Sequence, residues 1–584
     1  MTRGGTLRIA VALSLSAAPL AAQVVLPPAS ARPLGLRGDM GTLSEAYGVS
    51  GAEARRPWGT QQLYLNPTLS LFGSVDLTVN VLLSTEQGSD VGLRGLPGRQ
   101  SLNELGLHPQ WGWGRAHAGA FGETYTANTL GGIRLRGAGV ELNPGIFRFG
   151  AFGGRASSAV FGGLTSGSYA RTIVGGRIGL GRDPQRVQRP SFVELIVLRA
   201  WDDENSLPDA TDSTAPVLPP EVGASPFAVT PQDNLVAAIN GGLRLFGERL
   251  YWKGELDAAV HTRDRRASPL AQEELEGYPG LLNDVLTPRV GTHGDFAYST
   301  ELEVRLARLP GATRRSPRTL TASLGYRYAG PGYVSLGTPI TQSDLRRIEA
   351  KTTLRVGQAA FRVDGWRQRD NVLSQKLATT TRHRLATTVS LQPRPGWTAA
   401  LNVAYLDMAN DATEDLRRVN YGNWTLGTTH TWSFGRDARV PTVTLSYALQ
   451  RAEDPTPLRI GSRLRSHALD ARTTVRLTER ARLTPSLGIQ RGLTGEEPWS
   501  NRFTYGLGGE WQSPGRGWTL TAAFVSARFS AGSDAARASL GARWRMTGAD
   551  QLSFTVQTGR YTDVPTGDGS FEEYTARLQW SRRF

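Results

Sequence analysis

The sequence predicts an all-β protein, a closed transmembrane antiparallel up-and-down β-barrel of about 26 strands spanning residues 39–584. Three observations carry that expectation. Apolar and polar residues alternate with period two along nearly the whole chain. The alternating segments are longer than the strands of globular proteins. Short and long connections follow one another in turn. Composition agrees: of 584 residues, 68 are Gly, 14 Trp, 16 Tyr and 18 Phe, with 39% hydrophobic and 20% charged. That balance suits alternation along strands better than segregation into a core and a surface. The absence of Cys excludes disulfide scaffolds, thiolate metal sites and Cys nucleophiles, and fits an oxidising compartment.

Residues 1–22 read as an export signal. Arg3 and Arg8 precede an apolar run from Ile9 to Leu20, and small residues Ala21 and Ala22 come before Gln23, so cleavage is expected between Ala22 and Gln23. The run is too short to cross a bilayer, and nothing after it approaches the ~18 uninterrupted apolar residues of a spanning helix. A short N-terminal segment, 23–38, then leads to a first strand near Met40 to Val49.

From there the strands can be read directly. Phe296, Tyr298, Thr300, Leu302, Val304 and Leu306 alternate with Ala297, Ser299, Glu301, Glu303, Arg305 and Ala307. Leu250, Trp252, Gly254, Leu256 and Ala258 oppose Tyr251, Lys253, Glu255, Asp257 and Ala259, and Ile348, Ala350, Thr352 and Leu354 oppose Arg347, Glu349, Lys351 and Arg355. Spacing of two sorts these residues onto two faces, which a helical period of 3.6 would not do. Short turns fall at Phe72-Gly73-Ser74, Asn143-Pro144-Gly145, Val356-Gly357-Gln358 and Ser513-Pro514-Gly515-Arg516, and long polar segments near 85–101, 157–167, 203–232, 264–292, 330–343 and 453–461. Short turns at one end and long loops at the other is the plan of an outer-membrane barrel. At ~4.8 Å between strands and a tilt of about 40°, 26 strands close at a diameter on the order of 50 Å, too wide for side chains alone to fill.

The last segment places Tyr574, Ala576, Leu578, Trp580 and Phe584 on one face and Glu573, Thr575, Arg577, Gln579 and Arg583 on the other. It resembles the closing strand of outer-membrane β-barrel proteins of Gram-negative bacteria. The resemblance implies that Tyr574, Leu578, Trp580 and Phe584 form a signal read by the barrel-assembly machinery, that residues 23–38 are periplasmic, and that the surroundings are outer-membrane lipid and lipopolysaccharide. Arg582 departs from the apolar or aromatic residue usual there. A ligand-gated active transporter would need a plug domain ahead of the barrel, and a lipopolysaccharide-insertion barrel a periplasmic domain and disulfides; neither is expected here.

Function is less legible. The polar faces of neighbouring strands bring Lys253, Glu255 and Asp257 beside Glu301, Glu303 and Arg305, continued by Arg347, Glu349, Lys351 and Arg355. These are candidate lumen-lining residues; mixed charge can tune selectivity or form a mutually compensating, solvated wall. The formal net charge is +15, yet only Lys253, Lys351 and Lys376 are lysines, and the arginines are spread over the whole length. That spread points to lipid phosphates or a solvated face, not to nucleic acid. The acidic loop containing Asp202, Asp203, Glu204, Asp209, Asp212 and Glu221 lacks EF-hand spacing and reads as a solvated loop rather than a calcium site. Ser268-Pro269 followed by Glu273, Glu274 and Gly277 predicts a short helix in the loop after Arg263. The histidines, His108, His117, His261, His293, His383, His430 and His467, form no His-x-His or His-x-x-x-His pair, and no nucleophile elbow is present. No catalytic residue, metal site or cofactor is expected. The leading expectation is a channel or export conduit for polar or charged solutes; the alternative is an envelope assembly component whose lumen holds a partner protein or its own loops.

Overall fold

The computed structural model describes residues 34–85, 103–159, 168–183, 187–207, 229–271, 286–306, 318–338, 343–434, 441–459, 462–530, 532–564 and 569–584. The export signal and its cleavage point lie outside them, as do Gln272 to Gly277 of the expected helix; Pro269 itself pairs with Arg289 in an isolated bridge.

Twenty-six strands, β1 to β26 in chain order, form one antiparallel sheet in which each pairs with its neighbours in sequence. β26 (Gly569–Arg583) returns to β1 (Leu34–Ser50), with Asp39 opposite Arg583 and Ser50 opposite Glu572. Beyond that register Gly38 and Phe584 exchange both backbone hydrogen bonds, at 2.8 and 3.0 Å. The sheet is therefore a closed barrel without an edge. In hydrocarbon, closure is what satisfies every strand N–H and C=O. β1 starts at Leu34 and so already includes residues assigned by sequence to the segment before the barrel.

Alternation sorts the two surfaces. In β9 (Phe192–Asp202), Val193, Leu195 and Val197 face outward and are about half exposed, while Glu194, Ile196, Leu198 and Ala200 face inward and are buried. Apolar outside and polar or buried inside inverts a water-soluble protein. At about 25 cal/mol per Å² of apolar surface, so continuous an outer face is stable only against lipid. Aromatic rings mark both margins: Trp518 and Trp544 stack at 5.0 Å toward the short-turn end, and Tyr405 and Trp424 meet at 4.4 Å toward the long-loop end. The two- and three-residue turns, including those at Gly73 and Gly357 with positive φ, lie at the end that carries both termini of the barrel.

Candidate functional site

One hairpin leaves the wall. β5 (Gly114–Glu123) pairs with β4 (Glu104–Trp111) only as far as Gly119 opposite Gly106, and β6 (Ile133–Leu142) pairs with β7 (Phe147–Ser157) only from Arg136 onward. Past those points the two strands of the hairpin pair only with each other. Glycine permits the bend at both places. Gly119 has φ +90°, and a Cβ there would lie 2.1 Å from the Leu105 carbonyl oxygen; at Gly137 it would lie 2.0 Å from that of Gly153.

The hairpin turns into the lumen and docks across the inner wall. Asn128 Nδ2 donates to Asp257 Oδ2 at 2.9 Å on β11 (Leu250–Thr262), and Arg327 Nη2 on β13 (Arg318–Ala329) donates to Asn128 Oδ1 at 2.8 Å. The loop entering β14 (Leu345–Val356) folds in beside it. Tyr333 Oη donates to the Asn128 carbonyl at 3.0 Å, Ser335 Oγ to that of Thr129 at 2.6 Å, and Gly131 N to that of Gly337 at 3.0 Å. Asn234 on β10 (Asp233–Leu245) clamps this loop, donating to the Val334 carbonyl and accepting from Leu336 N, both at 2.9 Å. Between hairpin, loop and wall lies an apolar cluster that includes Leu130, Leu135, Phe152, Ile173, Leu198, Val236 and Tyr333. Inward Ile173, Leu198 and Val236 would otherwise face water, so the two insertions are the partners this arc of the wall requires. Burial pushes the Tyr333 phenol, and likewise that of Tyr125 in the hairpin, above its usual range.

The candidate lumen residues share one face but not one environment. Lys253 lies opposite Glu301, with Glu255 and Asp257 following on the same face of β11; Lys253, Glu301 and Arg305 are exposed, Glu303 is partly covered, Glu255 is mostly covered and Asp257 is fully buried under the hairpin. Arg189 Nε donates to Glu303 at 3.0 Å. On β14, Glu349 takes Arg347 at 2.9 Å and Lys351 at 2.8 Å, while Arg355 stands opposite Thr319. Tyr574, Leu578 and Trp580 face outward on β26, and Arg582, the departure from the closing-strand pattern, lies 3.9 Å from Asp550.

Sequence reading missed a buried polar cluster beneath the hairpin. Arg177 Nη2 meets Glu141 Oε2 at 3.0 Å and Arg115 takes the other oxygen. Arg148, 1% exposed, meets Glu194 at 3.0 Å. His108 and His117 touch through their Nδ1 atoms at 2.9 Å, and a ring nitrogen of His117 lies within 4.8 Å of carboxylate oxygens of both Glu123 and Glu141. Spacing along the chain could not reveal this set, because strand register and the hairpin bend assemble it.

Closure, an apolar exterior and sided loops together decide the class. The chain is a large β-barrel of the outer-membrane type. No protein-family model and no curated protein matches it. Among solved structures it is similar to the ferric enterobactin receptor of Pseudomonas aeruginosa, at 9% identity and TM-score 0.42 over 94% of this chain and 81% of that one. It is also similar to the P pilus usher translocation pore, at 9% and 0.34 over 94% and 99%. The anion-selective porin of Comamonas acidovorans aligns at 12% and 0.29 over 50% and 94%.

Proposed function

We propose that this barrel is a channel for small polar solutes that favours anions, with the inserted hairpin and the loop before β14 narrowing one side of its lumen. The observation that carries this reading is unpaired positive charge on the opposite arc. There, Arg382, Arg472, Arg502, Arg537 and Arg543 occupy inward positions, are exposed, and make no ion pair among the described residues. The carboxylates of the same arc are largely engaged: Asp364 by Arg384 at 2.7 Å, Glu510 by Arg482 at 3.1 Å and Glu45 by Arg577 at 3.0 Å. Between these charges runs a neutral track of inward Thr398, Asn402, Thr425, Thr429, Ser446 and Gln450, which offers hydrogen bonds without holding a solute by charge. Guanidinium groups along a wet wall raise the local anion concentration and select by sign.

Planar-bilayer recordings in a KCl gradient test this. The reversal potential should report chloride over potassium, and Arg472→Glu, Arg502→Glu and Arg537→Glu together should abolish or invert that preference while conductance persists. Cation preference in the unaltered protein would overturn the anion reading, and a barrel that stays silent and co-purifies with another chain would instead favour the assembly role.

A further inference from the structure

We propose that His117, Glu123 and Glu141 bind a divalent transition-metal ion at the root of the inserted hairpin, with His108 as the positioning residue. One His nitrogen and two carboxylate oxygens within 4.8 Å of one another are a donor set that zinc accepts, leaving a further position for water. Two independent features mark the spot as built for a ligand. Glu123 is 3% exposed, yet its Oε1 has no hydrogen-bond partner, and a buried bare carboxylate oxygen is costly unless something occupies it. His117 contacts His108 through Nδ1 at 2.9 Å, while its Nε2 is buried without a partner. If the shared Nδ1 proton sits on His117, Nε2 presents a lone pair, the tautomer a metal requires and one that ligating histidines usually fix through their other nitrogen.

Arg115 and Arg177 face the same pocket and hold Glu141, one on each oxygen. Their two charges already offset those of Glu141 and Glu123, so the pocket has no negative charge to spare for a cluster and takes at most a single cation. The wall supplies His117 and Glu141; Glu123 lies beyond the Gly119 bend, on the part of β5 that has left the wall. An ion joining them therefore ties the hairpin to its folded-back position, and binding stabilises that position by mass action. This inference concerns the hairpin root alone and does not depend on what passes through the lumen.

The test uses the full-length barrel, purified folded in detergent, stripped with EDTA and titrated with Zn²⁺ by calorimetry. One Zn²⁺ per chain is expected. Glu123→Gln and His117→Ala should weaken it by at least ~100-fold, and His108→Ala by about 10-fold. His293→Ala, which alters the separate His261–His293 contact with ring centroids 5.2 Å apart, should leave it unchanged. Absence of saturable binding, binding retained in both ligand variants, or binding lost in His293→Ala would overturn the proposal. Should the ligand variants fail to migrate as heat-modifiable barrels, Co²⁺ in the unaltered protein decides. Weak d–d bands displaced by one equivalent of Zn²⁺ support the site, and their absence refutes it.

Discussion

Asp344, with φ of 55°, stands at the mouth of β14 and is almost fully buried. Its Oδ1 accepts from Val372 N at 2.8 Å and its Oδ2 from Asn371 N at 3.0 Å, and Lys376 pairs with it. Burial alone would raise this carboxyl, but the Lys376 ammonium and the two amides outweigh burial and hold it below its usual value. A carboxylate lowered on folding contributes stability that is complete above its unfolded pKa of about 4 and is lost as pH falls through the lower folded value. The segment 370–379 should therefore stay docked at neutral pH and loosen only in strong acid. Asp344→Ala leaves two amides without acceptors and should cost ~2 kcal/mol locally. Faster hydrogen exchange at Asn371 and Val372 is the measurement, and unchanged exchange would count against this account.

At the scale of an element, the hairpin is a two-part structure: a wall portion held by four strands' worth of pairing, and a tip held by packing and a few hydrogen bonds. Leu130, fully buried in the apolar cluster, belongs to the tip. Leu130→Ala should cost about 2–5 kcal/mol, enough to undock the tip while the wall keeps its ladder. Expected readouts are protease cleavage within residues 124–132 and a larger single-channel conductance, with the thermal transition of the barrel little changed. A drop in the global transition with no new cleavage would mean that the tip is part of the wall's stability. The strands were legible in the sequence because lipid on one face and water on the other impose period two directly. The bend was not. Alternation runs on through His117, Gly119, Phe121 and Glu123, and Gly119 and Gly137 look like any other glycines among 68. What distinguishes them is the approach of a neighbouring strand's carbonyl, a contact that register creates. The same holds for His108 and His117. A search for metal pairs along one strand misses them, since they meet across two, and Glu123 joins them only once the hairpin has folded back.

For the whole molecule, stability hangs on one seam, because a barrel without its last pairing is a sheet with two unsatisfied edges in oil. β1 offers a built-in comparison. At Gly41 a Cβ would sit 2.3 Å from the Trp580 carbonyl oxygen and 2.7 Å from the Tyr64 hydroxyl, so a side chain there pushes the β26 backbone away from β1 and displaces the Tyr64 ring of β2 (Gly59–Leu71). At Gly48, on the same strand and also opposite β26, a Cβ meets nothing within 4 Å. Gly41→Val should therefore lose about 1–3 kcal/mol or more at the one place where loss cannot stay local, and Gly48→Ala should change stability by less than ~0.5 kcal/mol. Heat-modifiable gel migration after refolding separates the two. Gly48→Ala should run as the compact species throughout, and Gly41→Val should leave a large unclosed fraction. Equal yields of the compact form would show that the seam tolerates a gap, and closure would then not be the interaction that holds this barrel together.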